Sequence, residues 1–198
     1  MHKTMLIIVS GPPGAGKTTL ASSLSELLGL PLLTKDGLKE ALFDSLGWND
    51  RAWSKTLGAA SIELLYRLID SQLKAGVPVI VEANFKAMAA DRLDRLLKAH
   101  AAFPVQIACT AREDVLDARM RERWNSGKRH PGHNDAETIN EKYPGWSSSE
   151  YGVLPLGGSV YRVDTTDFSK IDFGTLFNEI KLRLSALRAR ADIPQQHL

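Results

Sequence analysis

The chain has 198 residues, a length for one domain with at most a small appendage, and its 43% hydrophobic and 24% charged residues are those of a soluble globular protein. A net charge of +2 is too small for a protein that coats nucleic acid, although it leaves room for an enzyme that holds a nucleic-acid end. The single cysteine, Cys109, can form no internal disulfide, and no segment approaches the roughly 20 apolar residues of a membrane span, so a reducing, cytoplasmic setting is expected.

Apolar residues 5–10 form the first predicted strand; the run at 5–9 is too short for the core of a signal peptide. Its hydrophobicity is continuous rather than alternating, which marks a strand buried on both faces. Gly11-Pro12-Pro13-Gly14-Ala15-Gly16-Lys17-Thr18-Thr19 follows at once. Leu20, Leu24, Leu27 and Leu28 then recur at helical spacing and predict a helix over 17–28. The loop matches G-x-x-x-x-G-K-[ST] in the strand–loop–helix setting that gives this motif its meaning. Its glycines let successive backbone N–H groups turn toward phosphate oxygens, and the helix adds the positive end of its dipole. The expected ligand is ATP with Mg²⁺: Lys17 addresses the β- and γ-phosphates, the Thr18 hydroxyl ligates the metal, and Thr19 supports the α-phosphate.

Residues 31–33 read as a short, weak strand and 36–46 as a helix. Asp36 opens that helix, where it suits either an N-cap or a carboxylate that receives or orients an acceptor proton. A long helix is predicted over 52–75 from Leu57, Ile62, Leu65, Leu68, Ile69 and Leu73, and Gly76-Val77-Pro78 stops it. Residues 77–82 form a strong strand ending in Glu82-Ala83-Asn84. A carboxylate at such a strand end must be solvated or paired, so Glu82 suits acceptor binding or a water-mediated Mg²⁺ contact. Asn84 suits acceptor binding or simple turn chemistry.

A helix over 87–100 leads to a strand over 105–110, which holds Cys109 as an inert core thiol. The helix over 113–125 carries Arg119, Arg121 and Arg123, and Lys128 and Arg129 follow it. Arg119 and Arg123 lie four apart and share one helix face, whereas Arg121 points elsewhere. Two guanidinium groups so placed suit a second phosphate-binding element; the alternative is a solvated helix neutralised by Asp117 and Glu122. Residues 126–158 are irregular, with a helical turn expected near 136–142. His130 and His133 are too few for a metal site and suit a lid, an acceptor contact or a plain polar loop. The last strand is expected over 160–163, followed by Asp164-Thr165-Thr166, which by its residues alone reads as a simple turn and helix entry. A closing helix spans 173–190, and the tail 192–198 is expected to fray. Trp48, Trp53, Trp124 and Trp146 suit either packing or an aromatic acceptor wall.

Strands alternating with helices imply βαβ units and a parallel sheet covered on both faces. The expected fold is α/β: a three-layer α/β/α P-loop sandwich with a mainly five-stranded parallel sheet. It forms a single domain over 1–198 with a lid over about 119–135.

At these residues the sequence resembles the small P-loop kinases of the nucleoside-monophosphate-kinase-like group, and within it the polynucleotide kinases, chloramphenicol phosphotransferases and zeta-toxin-like kinases. In several of these an acidic base after the second strand is followed three residues later by a basic side chain, places that Asp36 and Lys39 fill here. Lys39 stands where polynucleotide kinases tend to have Arg, and a lysine cannot make the same two-pronged contact. The resemblance implies that Arg119 packs on adenine, that Arg123 touches phosphate, and that Asp164 and Thr165 border the nucleotide. It implies a kinase that moves the γ-phosphoryl group to a hydroxyl of a small molecule. Polynucleotide 5′-hydroxyl kinase and slow ATP-hydrolysing switch are the alternatives.

Overall fold

The computed structural model describes residues 2–127, 129–134 and 151–191. Lys128, Trp146, the expected turn over 136–142 and the tail over 192–198 lie outside the described residues.

Five parallel strands form one sheet in the order β2-β3-β1-β4-β5: β1 Thr4–Ser10, β2 Leu32–Thr34, β3 Val79–Glu82, β4 Ala102–Thr110 and β5 Ser159–Asp164. Six helices accompany them: α1 Lys17–Leu28, α2 Lys35–Leu46, α3 Arg51–Lys74, α4 Ala90–Ala99, α5 Glu113–Asn125 and α6 Phe173–Ala191. Every residue of β1 is buried, as its continuous apolar run predicts for a central strand. Its side chains divide by parity. Met5, Ile7 and Val9 join a core with Leu20 and Leu24 of α1 and Ile180 and Leu184 of α6. Leu6 and Ile8 join another with Leu65 and Ile69 of α3 and Leu93 and Leu97 of α4. The sandwich therefore has three layers, with a hydrophobic core on each face of the sheet.

The expected elements fall into place with shifts at their ends. The helix expected over 87–100 begins as a 3₁₀ turn, Ala87–Ala89, before α4. Pro131–His133, expected to be irregular, also forms a 3₁₀ turn, with the His130 Nδ1 accepting from the Gly132 N–H at 3.0 Å. Asp36 does not cap α2: Thr34 does, its Oγ1 accepting from Gly37 N–H at 3.1 Å. A threonine one residue outside the helix has the extended backbone that a cap requires, whereas Asp36 already lies in the first turn. Its carboxylate is thereby left available for other work. Among the described residues no helix is long and apolar enough to cross a membrane.

Because all five strands are parallel, their carboxyl ends share one edge. Register aligns Val9 of β1 with Glu82 of β3, Glu82 with Thr34 of β2, and Thr110 of β4 with Asp164 of β5. The phosphate loop, the start of α2, Glu82, the start of α5 and the Asp164–Thr166 turn thus collect along that edge, where open α/β sheets bind ligands.

Candidate active site

The loop between β1 and α1 is shaped by two glycines that accept no substitute. At Gly16, φ is +64° and an added Cβ would stand 2.2 Å from the Phe168 ring. At Gly11, φ is +151° and a Cβ would stand 2.3 Å from the Cys109 carbonyl oxygen. Left-handed backbone at Gly16 turns the chain into α1 with its first N–H groups unused, the arrangement that cradles phosphate. Lys17 is buried and curls back over the loop, its Nζ donating to the Pro12 carbonyl at 2.9 Å. Burial lowers its pKa, and the nearby Glu82 carboxylate acts the other way.

The loop is braced from behind by β5. Thr165 is fully buried; its Oγ1 lies 3.0 Å from the Ala15 carbonyl and 2.9 Å from the Thr110 carbonyl. Arg119 completes the brace, donating to the Thr165 carbonyl at 2.7 Å and lying over the Phe168 ring at 5.2 Å. The arginine expected at adenine is here tied to the loop's supports, and its guanidinium and the Phe168 ring offer flat surfaces beside Gly16. Asp164 is exposed and its Oδ1 accepts from the Thr166 N–H at 2.8 Å, which makes the turn that holds Thr165. Phe168 went unnoticed in the sequence: a lone aromatic eight residues before a helical leucine carries no periodic signal.

In front of the loop opens a cleft of about 250 Å³. Lys17, Thr18, Asp36, Lys39, Glu82, Asn84 and Arg123 all line it, so residues from four separate stretches of sequence converge there. Arg119, Asp164 and Thr165 stand behind the loop, outside this lining. The Thr18 hydroxyl donates to Glu82 Oε2 at 3.1 Å. A buried carboxylate and a hydroxyl that converge in this way are hard oxygen donors of the kind Mg²⁺ takes, so the pair fits that ion. Burial raises the Glu82 pKa, with the Lys17 charge opposing. A divalent cation would relieve that penalty.

Asp36 faces three cations. Its carboxylate meets Arg129 at 2.8 Å, Lys35 at 3.0 Å and Arg123 at 3.7 Å. Burial alone would raise its pKa, but Lys35 and Arg129 outweigh it and hold the group far below the usual carboxylate range. Lys39, almost fully buried, donates from Nζ to Ser54 Oγ at 2.8 Å. Burial, with the repulsion of Lys35 behind it, lowers its pKa to about 8.

The segment after α5 is fastened to α2. His133 Nε2 lies 2.8 Å from Glu40 Oε1, His130 Nε2 lies 3.3 Å from Asp44, and the His130 ring stacks on Phe43 at 5.0 Å. Burial, then Arg129, lowers the His133 pKa to about 3, so its ring is neutral. Among the described residues no cluster of His, Cys, Asp and Glu suits a metal. Cys109 is buried with its thiol pushed up to about 12 by that burial, which makes it inert. Trp124 lines the cleft, whereas Trp48 and Trp53 border a separate surface groove.

Sequence reading missed one wall of the cleft: Arg51, Ser54, Lys55 and Gly58 of α3. They are spaced i, i+3, i+4, i+7 and so form one stripe. That spacing is visible in the sequence, but a polar stripe on a helix ordinarily faces water.

The family model for an AAA domain matches residues 6–142. A curated relative, deoxyguanosine kinase of Bacillus subtilis, is 34% identical over 86 residues, which make up 41% of this chain and 42% of that enzyme. The chain therefore matches less than half the length of this relative. Among solved structures, a candidate kinase from Chloroflexus aurantiacus j-10-fl is 39% identical, with 92% of this chain and all (100%) of that one covered at a TM-score of 0.81. The APS kinase of Mycobacterium tuberculosis, solved with AMPPNP and APS, shares 15% identity, 94% and 99% coverage and a TM-score of 0.57, a likeness of fold alone.

Proposed function

The chain belongs to the AAA domain family and has the P-loop kinase fold, and from that premise we propose that it transfers the γ-phosphoryl group of ATP to a hydroxyl of a small-molecule acceptor. One observation carries this reading above all. The carboxylate of Asp36 shares a 250 Å³ cleft with Lys17 of the phosphate loop and Arg123 of α5. A phosphate donor site, a group that can orient a hydroxyl and a cation for moving charge are thereby within one enclosure.

In this reading Gly11 to Thr19 hold the triphosphate, Lys17 neutralises the β- and γ-phosphates, and Thr18 and Glu82 are the groups that would hold Mg²⁺. Bound there, the metal would supply charge neutralisation for the phosphoryl group in transfer. Asp36 accepts a hydrogen bond from the acceptor hydroxyl, whose oxygen attacks the γ-phosphorus. The bond to the bridging oxygen breaks, ADP leaves, and the hydroxyl proton passes by way of Asp36 to solvent. The depressed pKa of Asp36 suits orientation of the hydroxyl more than early proton removal, which a loose transition state does not need. Arg123 follows the moving charge, and Lys39 and Asn84 face the acceptor. Arg119 with Phe168 and the Asp164–Thr165 turn form the purine side. Residues 1–198 act as one kinase domain, and the stretch over about 119–135 serves as its lid. Among the small P-loop kinases, the Asp36–Lys39 pair supports a place near the polynucleotide, chloramphenicol and zeta-toxin-like kinases. The size of the cleft favours a small acceptor over a nucleic-acid end.

The test is ADP release with ATP·Mg²⁺ across panels of sugars, nucleosides, hydroxy antibiotics, phosphorylated alcohols and 5′-hydroxyl oligonucleotides, with Lys17→Ala as the blank. One class should raise release well above the rate with water alone. Tight ATP binding with no stimulation by any class would favour a nucleotide-gated switch instead.

A further inference from the structure

We propose that the acceptor carries, besides the hydroxyl that Asp36 orients, a dianionic phosphate monoester, and that Lys39, Arg51, Ser54 and Lys55 form the seat for that group. This rests on the kinase reading for the identity of the reacting hydroxyl. The anion seat itself rests on the following geometry.

Lys39 is the centre of the argument. It is 5% exposed, and among the described residues it makes no ion pair: its Nζ donates to Ser54, itself 1% exposed, and lies 5.1 Å from the centre of the Phe43 ring. A buried ammonium on which Lys35, Arg51 and Arg129 act against the single carboxylate of Asp36 is costly, and an arriving anion would offset that cost. Burial and Lys35 lower its pKa to about 8. The room for an anion exists. Gly58 stands one turn beyond Ser54 on α3, and a Cβ there would come 3.7 Å from both Lys39 Cε and Nζ. With no side chain at that place, the cleft extends to the ammonium group.

Arg51 and Lys55 flank Ser54 on the same face of α3 and line the same cleft. Cations from two helices therefore approach one small volume from different directions, with a hydroxyl between them. A tetrahedral dianion accepts hydrogen bonds in several directions and suits this set better than a planar carboxylate. Lys17 belongs to the phosphate loop, while Lys35, Arg123 and Arg129 surround Asp36. An attacking phosphate oxygen, as in transfer to a monophosphate, would have to sit against the carboxylates of Asp36 and Glu82. A hydroxyl carries no such repulsion, so the phosphate belongs at the α3 end and the hydroxyl at Asp36. The product of transfer is then a bisphosphate.

The experiment uses inorganic sulfate, a tetrahedral dianion at every working pH. The full chain is first saturated with AMPPNP·Mg²⁺, so that the nucleotide phosphates fill the loop, and sulfate is then titrated by calorimetry. One sulfate per chain should bind, and Lys39→Met and Lys55→Gln should each weaken it at least about tenfold with AMPPNP affinity within about twofold of wild type. In parallel, ADP release is compared for phosphorylated alcohols, hydroxy acids and neutral alcohols of matched size. The phosphorylated alcohols should be the accepted class, with Lys39→Met raising their KM at least about tenfold and the KM for ATP unchanged. If Lys39→Met does not fold, Lys55→Gln and Ser54→Ala carry the same comparison. Sulfate binding indifferent to all three variants, or transfer to neutral alcohols or hydroxy acids in preference to phosphorylated ones, overturns the proposal while leaving the kinase standing. Sulfate binding that depends on Lys39, with no ADP release from any class, keeps the anion seat and overturns the kinase reading.

Discussion

Arg129 and Asp36 lie 93 residues apart in sequence and meet at 2.8 Å. With Arg123 at 3.7 Å from the same carboxylate, two arginines from the α5 side close over α2. The Asp36 carboxylate and these two guanidinium groups are thus held against each other. Bound phosphates would compete for both arginines and release Asp36 toward the acceptor.

Asp36→Asn follows directly. Thr34 caps α2, so the change leaves the helix start intact. ATP·Mg²⁺ affinity, measured by calorimetry, should stay within a few-fold, and transfer to the acceptor should fall by about 10²-fold or more. A transfer rate within a few-fold of wild type would move the acceptor role to Glu82.

Lys17→Ala should abolish transfer with the fold retained. The side chain reaches across the loop to Pro12 rather than into a core, and alanine suits the first turn of α1. Circular dichroism and ADP release together check this; wild-type turnover in the variant would refute the phosphate site.

Arg123→Ala should lower kcat by about 10²-fold or more, with ADP affinity changed far less, because its charge matters most as the γ-phosphoryl group moves. Parallel losses in both quantities would make it a ground-state contact. An unchanged kcat would hand the role to Arg129.

The pH dependence turns on Lys39. Its folded pKa of about 8 lies below the ordinary 10.5, so between these values the unfolded chain holds the proton that the folded chain has lost. Stability from this group therefore rises with pH across that window. Binding of an anionic acceptor runs the other way, since it needs the ammonium form. For such an acceptor, kcat/KM should fall above about pH 8, and Lys39→Arg should remove that limb while keeping activity at neutral pH. A profile for the arginine variant that overlays wild type would show that another group titrates.

His133 makes the fastening of 129–134 to α2 sensitive to acid. Its pKa of about 3 is depressed from 6.5, so the folded form holds the ring neutral while the unfolded form takes up a proton. The stability it contributes is present above about pH 6.5 and is lost as pH falls toward 3. Amide exchange over 129–134 should accordingly speed up relative to β1 on acidification, after correction for intrinsic rates, and slow when AMPPNP·Mg²⁺ binds. No protection by the nucleotide would make this stretch an ordinary surface turn.

Much of the molecule could be read from local signals. The phosphate loop works through contiguous backbone, so its sequence and its chemistry share one stretch of chain. The central strands β1 and β3 announce themselves because burial on both faces demands unbroken apolar runs, and the parity of Met5, Ile7 and Val9 against Leu6 and Ile8 needs only the pleat. Parallel strands then place these loops on one edge, which is why Asp36, Glu82 and Arg123 share a cleft. Tertiary packing decided the rest. Whether Arg51, Ser54, Lys55 and Gly58 face water or a cavity depends on how α3 lies against α2. That Arg119 braces the loop through Thr165 depends on where β5 ends beside β4. The meeting of Lys39 with Ser54, and of Arg129 with Asp36, depends on helix positions set by the two hydrophobic cores. Side-chain pairs drawn from distant segments leave no periodic trace in the sequence, because the energy that joins them comes from packing elsewhere in the fold.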